Sequence, residues 1–167
     1  MAEASSPMKT SFSTPSEREF VMSRTFDAPR DLVFEAYTQP EHMKKWFSVE
    51  GWDLTTCEVD LRPGGSYRYA WTGPDGAEMG FHGEFTEVEP PSRIVATEVF
   101  EGEYFDVMGG GTVNTMTFAE ADGKTTITIT SLYKSREAMD SARSTGMEGG
   151  ANETWDRFEA YLETLRA

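Results

Sequence analysis

Hydrophobic and polar residues alternate with a period of two through most of the chain between residues 54 and 133. Short stretches rich in Pro and Gly, such as Pro63-Gly64-Gly65, interrupt the alternation and are typical of tight turns. The interruptions leave six segments with a strand-like pattern: LTTCEVDL, SYRYAW, EMGFHGEFTEV, RIVATEVF, TVNTMTFAE and KTTITITSLY. Because consecutive strands joined by short turns pair antiparallel, this pattern predicts an antiparallel meander.

The two ends of the chain follow other periods. Residues 18–26 predict a first strand, and the segments DAPRDLVFEAYTQ and PEHMKKWF predict two short helices after it. Near the C-terminus, apolar and small residues recur at helical spacing: Met147, Ala151, Thr154, Trp155, Phe158, Leu162 and Leu165. Charged residues such as Asp156 and Glu159 fall largely on the other face of that helix. We therefore predict an α+β fold in which a curved antiparallel sheet of about seven strands wraps around one long C-terminal helix.

The length of 167 residues suits a single domain with a sizeable core, which we place at residues 17–167. Residues 1–16 are rich in Ser, Thr and Pro and lack the basic and apolar regions of a secretory signal. We expect this segment to be a disordered tail.

Charge and cysteine content exclude several classes of function. The formal net charge of −14 disfavours binding to nucleic acids or anionic membrane surfaces, because both depend on neutralising phosphates. No apolar run is long enough for a transmembrane helix. The single cysteine, Cys57, rules out a disulfide within the chain and fits a reducing cytoplasmic location.

Four segments in the same order resemble a known family: FDAPRDLVFEAYTQPEHMKKWF, DLRPGGSYRY, GEFTEVEPPSRIV and GMEGGANETWDRFEAYL. Together they are similar to the activator of heat-shock protein 90 ATPase homologue-like family. This family belongs to the Bet v 1-like or START-like (SRPBCC) superfamily, whose fold is called helix-grip. The resemblance implies an apolar cavity between sheet and helix, is compatible with a homodimer, and leaves the activity open. The chain departs from the family pattern at Gly149-Gly150-Ala151, where relatives frequently carry a Gly-aromatic pair.

Few residues suggest catalysis or metal binding. The only histidines, His42 and His82, do not belong to a cluster with metal-ligand spacing, and Cys57 has no base near it in the sequence. We therefore expect neither a metal nor another cofactor. Glu98 is a weak catalytic candidate, because burial among apolar groups would raise its pKa. The strand pattern leaves its orientation open, and an exposed position or an ion pair with Arg68 is the favoured alternative.

Large aromatic residues dominate the predicted inner faces. Tyr67, Tyr69 and Trp71 occupy every second position of one strand and therefore share a face of the sheet. We predict a ligand-binding wall formed by the following residues: Tyr67, Tyr69, Trp71, Phe81, Phe85, Met116, Phe118, Trp155 and Phe158. We predict a gate formed by four more: Trp46, Tyr104, Phe105 and Met108.

The leading hypothesis is binding of a small hydrophobic or aromatic molecule without catalysis. The first alternative, implied by the family name, is a co-chaperone or stress-response module that contacts a chaperone. The second alternative is an enzyme, such as a cyclase or hydrolase, that uses an acid in the pocket. The sequence itself identifies neither a ligand nor a protein partner.

Overall fold

The computed structural model describes residues 10–101 and 111–166, which form eight strands and four α-helices. The strands are β1 (Ser11–Ser13), β2 (Glu19–Phe26), β3 (Asp53–Val59), β4 (Ser66–Thr72), β5 (Glu78–Glu89), β6 (Arg93–Glu101), β7 (Thr112–Ala121) and β8 (Lys124–Leu132). The helices are α1 (Arg30–Thr38), α2 (Pro40–Trp46), α3 (Arg136–Ser144) and α4 (Met147–Arg166).

All eight strands belong to one antiparallel sheet in the order β1-β2-β8-β7-β6-β5-β4-β3. The six strands from β3 to β8 are the predicted meander, and β2 returns from the start of the chain to pair with β8. The long helix α4 and the short helices α1 and α2 contribute the residues that pack on the apolar side of the sheet. The predicted α+β helix-grip architecture is confirmed.

Strand β1 was not expected, because the first strand predicted from the sequence, residues 18–26, corresponds to β2. Strand β1 pairs with β2 through Ser11 opposite Ser23 and Phe12 opposite Met22. The ring of Phe12 stacks on Phe20, with 5.7 Å between ring centroids. The prediction of a disordered tail over residues 1–16 is therefore wrong for residues 11–13, because one buried ring contact anchors a segment whose composition is polar.

Helix α3 was also missed. It begins after Ser135, whose hydroxyl accepts a hydrogen bond from the backbone N–H of Ala138 at 3.0 Å, and it buries Met139 and Ala142. These residues form a second, smaller core with Phe20 and Tyr133. A serine cap followed by apolar residues three and four positions apart (Ala138, Met139 and Ala142) is a helix signal that the sequence contained.

Helix α4 covers the sheet through Trp155, Phe158 and Leu162, each at most 2% exposed. The ring of Phe26 on β2 meets Trp155 and Phe158 edge-on, with centroid distances of 5.6 and 5.1 Å. Such edge contacts favour one rotamer for each ring and so define how the helix sits on the sheet.

A buried ion pair joins the same two elements. Arg24 on β2 has a side chain only 1% exposed, and its guanidinium lies 2.7 Å from Asp156 and 3.2 Å from Glu159 on α4. The sequence pattern placed both carboxylates largely on the outer face of the helix. They reach inward at the edge of that face because a guanidinium buried in the sheet needs anionic partners.

The turn between β3 and β4 requires both of its glycines. Gly64 has a φ of +85°, and a Cβ on Gly65 would lie 2.0 Å from the carbonyl oxygen of Asp60. The Pro63-Gly64-Gly65 stretch is thus a hairpin turn, as predicted, and it delivers the chain directly into the aromatic strand β4.

Candidate ligand-binding cavity

A cavity of about 280 Å³ lies between the inner face of the sheet and the helices. Its described lining is mostly aromatic and aliphatic, with a few polar groups. The lining residues are Phe20, Met22, Tyr37, Thr38, Met43, Phe47, Val59, Leu61, Tyr67, Tyr69, Phe81, Phe85, Ile94, Ala96, Glu98, Phe100, Asn114, Met116, Ile129, Ser131, Tyr133, Met147, Ala151, Thr154 and Trp155.

Six of the nine predicted wall residues face this cavity: Tyr67, Tyr69, Phe81, Phe85, Met116 and Trp155. The first four lie on the paired strands β4 and β5 and Met116 lies on β7, and the alternation of side chains places all five on the inner face of the sheet. Trp155 adds the opposite wall from helix α4.

The other three predicted wall residues, Trp71, Phe118 and Phe158, pack behind the cavity. The indole Nε1 of Trp71 donates to the carbonyl oxygen of Phe47 at 2.7 Å, which holds the loop after α2 against the sheet. Phe118 and Phe158 are at most 2% exposed and belong to the core. Strand parity identified the correct face, but it could not tell how far along the strand the helices stop covering it.

The predicted gate is wrong for Trp46. This side chain is 1% exposed, its Nε1 donates to the carbonyl oxygen of Ala36 at 2.9 Å, and its ring packs on Phe158 at 4.5 Å. Trp46 therefore belongs to the core beneath α4. The other predicted gate residues, Tyr104, Phe105 and Met108, lie outside the described residues.

The β5–β6 ladder opens beside the cavity. The hydroxyl of Tyr67 donates to the carbonyl oxygen of Thr97 at 2.6 Å, and the N–H of Glu84 donates to the Thr97 hydroxyl at 3.0 Å. Tyr67 reaches across the neighbouring strand at Gly83, where an added Cβ would lie 1.8 Å from that same carbonyl oxygen. The Tyr67 hydroxyl thus takes the place of a backbone N–H as the donor to the Thr97 carbonyl oxygen, one residue before Glu98.

The remaining tyrosine hydroxyls of the cavity differ in their partners. The indole Nε1 of Trp155 donates to the Tyr37 hydroxyl at 2.9 Å, while the Tyr133 hydroxyl lies 3.6 Å from the sulfur of Met147. The Tyr69 hydroxyl has no hydrogen-bond partner among the described residues. Burial raises the pKa of Tyr37 and of Tyr133 to about 12, and it raises the pKa of Tyr69 further, so all three hydroxyls keep their protons at neutral pH.

Glu98 points into the cavity, on the same face of β6 as Ile94 and Ala96. Burial raises the pKa of its carboxyl to about 7, against the opposing effect of hydrogen bonds from Asn114 and Thr112. The Thr112 hydroxyl lies 3.5 Å from Glu98 Oε1, so this contact is long.

The favoured expectation of an exposed Glu98, or one paired with Arg68, is wrong. Arg68 instead pairs with Glu101 on the outer face of the sheet, at 2.9 Å. The two faces of β6 are equally apolar, with Val95 as buried as Ile94, so strand alternation alone could not orient the carboxylate.

Several cavity residues were not predicted, among them Phe20, Tyr37, Phe100, Ser131 and Tyr133. A signal existed for two of them. Ile127 and Ile129 define the inner face of β8, and continuing that alternation reaches Ser131 and then Tyr133.

The histidines lie away from the cavity. His82 Nδ1 lies 2.8 Å from Glu101 on the exposed face of the sheet. His42 Nδ1 lies 2.7 Å from the Tyr161 hydroxyl. Within residues 10–101 and 111–166, no group of three or more His, Cys, Asp or Glu side chains could hold a metal ion.

The fold and the cavity between sheet and helices define a protein of the helix-grip, Bet v 1-like class. Residues 27–163 match the sequence model of the family described as "Activator of Hsp90 ATPase homolog 1-like protein". The chain belongs to this family, which confirms the resemblance inferred from its segments. A search of curated proteins finds no match.

Solved bacterial structures share the whole architecture. A protein of Rhodobacter sphaeroides is 25% identical with a TM-score of 0.85, over 94% of this chain and 99% of that one. The protein Ms6760 of Mycobacterium smegmatis is 27% identical with a TM-score of 0.80, over 92% of this chain and 97% of that one. A protein of Staphylococcus epidermidis is 30% identical with a TM-score of 0.77, over 90% of this chain and 93% of that one.

None of the described helices has both the length and the apolar composition needed to cross a membrane.

Proposed function

We propose that this protein binds a small apolar or aromatic molecule in the cavity between its sheet and helix α4. The observation that carries the proposal is the cavity itself, about 280 Å³ of space bounded by aromatic rings and a small set of polar groups. A mainly apolar concavity with a few oriented polar side chains is the usual form of a small-molecule site.

The energy of such a space supports an occupant. At about 24 cal/mol per Å³, a dry cavity of 280 Å³ would cost about 7 kcal/mol. That is comparable with the total stability of roughly 5–15 kcal/mol of an ordinary domain. An occupant, or water held by the polar groups, removes much of this cost.

The polar groups favour a ligand that forms hydrogen bonds as well as apolar contacts. Tyr69 presents a hydroxyl without a partner among the described residues, and Glu98 presents a carboxyl among apolar side chains. A wholly apolar ligand would leave the Tyr69 hydroxyl without water and without a described partner, and it would remove water from the Glu98 carboxyl, which costs free energy.

Thermal denaturation with a diverse library of apolar and aromatic compounds tests the proposal. A ligand present at about 100 times its Kd stabilises the fold by about 2.7 kcal/mol, which raises the Tm of a chain of this size by about 5–10 °C. Native mass spectrometry of the purified protein should detect a retained ligand and also reports the number of subunits.

The variant Ala151→Phe tests whether the ligand occupies this cavity, and Gly150→Ala is its matched control. Ala151 lines the cavity from the first half of α4, so a phenyl ring there should fill ligand space and abolish the thermal shifts. Gly150→Ala changes the adjacent residue where an added Cβ meets nothing within 4 Å, and it should leave the shifts intact. The proposal fails if no compound shifts the Tm and no ligand can be extracted.

A second candidate function rests on Glu98. A carboxyl with a pKa of about 7 inside an apolar cavity can donate or accept a proton at neutral pH. This observation supports the second candidate function, in which the protein is an enzyme such as a cyclase or hydrolase and Glu98 is its general acid or base. Product analysis after incubation with each bound compound tests it: turnover that Glu98→Gln abolishes while binding persists supports catalysis, and unchanged compound contradicts it.

The co-chaperone alternative is supported by the family description alone. Affinity capture from cell extract that recovers no chaperone would count against it.

A further inference from the structure

The described lining of the cavity carries an acidic group and no basic group. Glu98 is the one charged or acidic side chain among the described lining residues, and none of those residues is Lys, Arg or His. Arg143 lowers the pKa of the cavity residue Tyr133 through its charge, but this guanidinium does not line the cavity and forms an ion pair with Glu148 at 3.1 Å.

The groups that contact Glu98 suit its ionised form. The side chains of Asn114 and Thr112 on the neighbouring strand β7 both act on the carboxyl as hydrogen-bonding groups that lower its pKa, the Thr112 hydroxyl from 3.5 Å. An ionised carboxylate only accepts hydrogen bonds, so two donors supply part of what the anion needs. The described lining contains no cationic side chain that could pair with this carboxylate.

Aromatic rings surround the same space. Tyr67 and Tyr69 lie 5.1 Å apart between centroids, and Phe81 lies 5.5 Å from Tyr69 and 5.7 Å from Phe100. The faces of such rings attract a cation through their quadrupole, and enclosures of rings are a known means of binding organic ammonium groups. The net charge of −14 also attracts cations to the protein as a whole.

We infer that the natural ligand is an organic amine, whose ammonium group pairs with the carboxylate of Glu98 while its ring or chain packs against the aromatic wall. This inference rests on the proposed function and adds the ligand class. An anionic ligand such as a fatty acid is disfavoured, because no cation of the described lining would pair with its carboxylate and Glu98 would repel it.

Binding of an amine should depend on pH. Four tyrosines face Glu98 from the elements around it: Tyr37 on α1, Tyr67 and Tyr69 on β4, and Tyr133 after β8. Burial raises the pKa of each, so Glu98 is the group of this set that titrates near neutrality. A carboxyl with a pKa of about 7 is roughly one-tenth ionised at pH 6 and nine-tenths ionised at pH 8. Affinity for an amine that stays protonated should therefore rise about tenfold between these pH values.

Isothermal titration calorimetry with matched probes tests the inference. Three ring systems (phenyl, indole and naphthyl) are each compared as the ethylamine, the corresponding ethanol and the corresponding acetate, for example tryptamine, tryptophol and indole-3-acetate. At pH 8 the best amine should bind at least tenfold more tightly than its alcohol, and the acetate most weakly. Glu98→Gln should reduce the amine-to-alcohol affinity ratio at least tenfold and remove the pH dependence. The matched control Glu84→Gln, on the outer face of the adjacent strand β5, should leave the ratio unchanged.

The outcomes separate the two proposals. If alcohols bind as tightly as amines, or if the amine advantage persists in Glu98→Gln, the amine inference is overturned and ligand binding stands. If none of the amines binds, the inference is overturned, and the library screen and native mass spectrometry decide the proposed function independently. Circular dichroism of Glu98→Gln confirms that each comparison is made on folded protein.

Discussion

The hydroxyl of Tyr67 donates a hydrogen bond to the backbone carbonyl of Thr97 at 2.6 Å, across a neighbouring strand that carries glycine at the crossing point. Through this contact the Tyr67 hydroxyl serves the structure, because it satisfies a backbone carbonyl of β6. Tyr69, two residues further along the strand, has no hydroxyl partner among the described residues. The two side chains look equivalent in the sequence, yet the structure gives one hydroxyl to the backbone and leaves the other to the cavity.

Removing each hydroxyl should therefore have different effects. Tyr67→Phe leaves the Thr97 carbonyl without its donor and should lower the free energy of unfolding by about 1–3 kcal/mol. Tyr69→Phe removes a hydroxyl without a described partner and should change stability by less than about 0.5 kcal/mol. Urea denaturation of both variants measures the difference. Equal losses would contradict the assignment of the Thr97 contact to Tyr67.

A methyl group at Gly83 should disturb the same crossing. The Cβ of Gly83→Ala would lie 1.8 Å from the Thr97 carbonyl oxygen and 2.9 Å from the Tyr67 hydroxyl, so strands β5 and β6 must separate. Overpacking of this kind typically costs about 1–3 kcal/mol. Gly150→Ala is the matched control, because its Cβ meets nothing within 4 Å and a helical Gly-to-Ala change should stabilise by about 0.5–1 kcal/mol. A Gly83→Ala protein as stable as the parent would show that the crossing is not tight.

The carboxyl of Glu98 should make stability fall as pH rises through weakly acidic values. Its pKa is about 7 in the folded protein against 4.5 as the ordinary value, so between these values the folded state holds a proton that the unfolded state has released. By linkage, stability contributed by protonated Glu98 is present below about pH 4.5 and is lost as pH rises towards 7, by at most about 3 kcal/mol.

Glu98→Gln isolates this contribution. The variant should match the parent at pH 4 and become the more stable of the two by pH 8, because glutamine resembles the protonated acid at every pH. Thermal melts of both proteins at each pH measure the difference, and Glu84→Gln serves as an exposed control. A difference that is constant with pH would place the titration of Glu98 outside this range.

The buried guanidinium of Arg24 should depend on both of its partners. The double change Asp156→Asn and Glu159→Gln leaves a charge that is 1% exposed without an anion, and we expect a loss of at least about 2 kcal/mol. This is below the roughly 3–5 kcal/mol of a fully buried pair, because the Asp156 side chain is 53% exposed. Adding Arg24→Met, which removes the charge and keeps apolar bulk, should restore much of the loss. Additive effects in denaturant titrations would contradict the coupling.

Much of the fold could be read from local pattern. The period-two alternation predicted strands β3 to β8, and the helical spacing of Trp155, Phe158 and Leu162 predicted α4. Both signals depend on how a backbone geometry distributes consecutive side chains, so they are present within each segment. Strand β1 escaped prediction because three residues are too few to show a period, and its position depends on Phe12 meeting Phe20.

The candidate site was only partly predictable. Parity placed Tyr67, Tyr69, Phe81 and Phe85 on one face, and they line the cavity. Parity could not separate the cavity from the packed core. Trp46 was assigned to a gate from its position at the end of the second predicted helix, which did not reveal that its ring packs on Phe158. Whether a ring lines the cavity or packs against another ring depends on where the helices end above the sheet. The position of the helix ends over the sheet is a tertiary property that no single segment of the sequence shows.

The sequence by itself determined the order of the main elements (β2 to β8 with α1, α2 and α4), most of the faces they present and the family, because alternation, helical spacing and turn residues are local properties of the chain. Tertiary structure decided the orientation of Glu98, the task of each tyrosine hydroxyl and the burial of Arg24. Both faces of β6 are apolar, so local hydrophobicity gave no preference. The hydrogen bonds of Asn114 and Thr112 on the neighbouring strand identify the inner face as the one that holds the carboxyl.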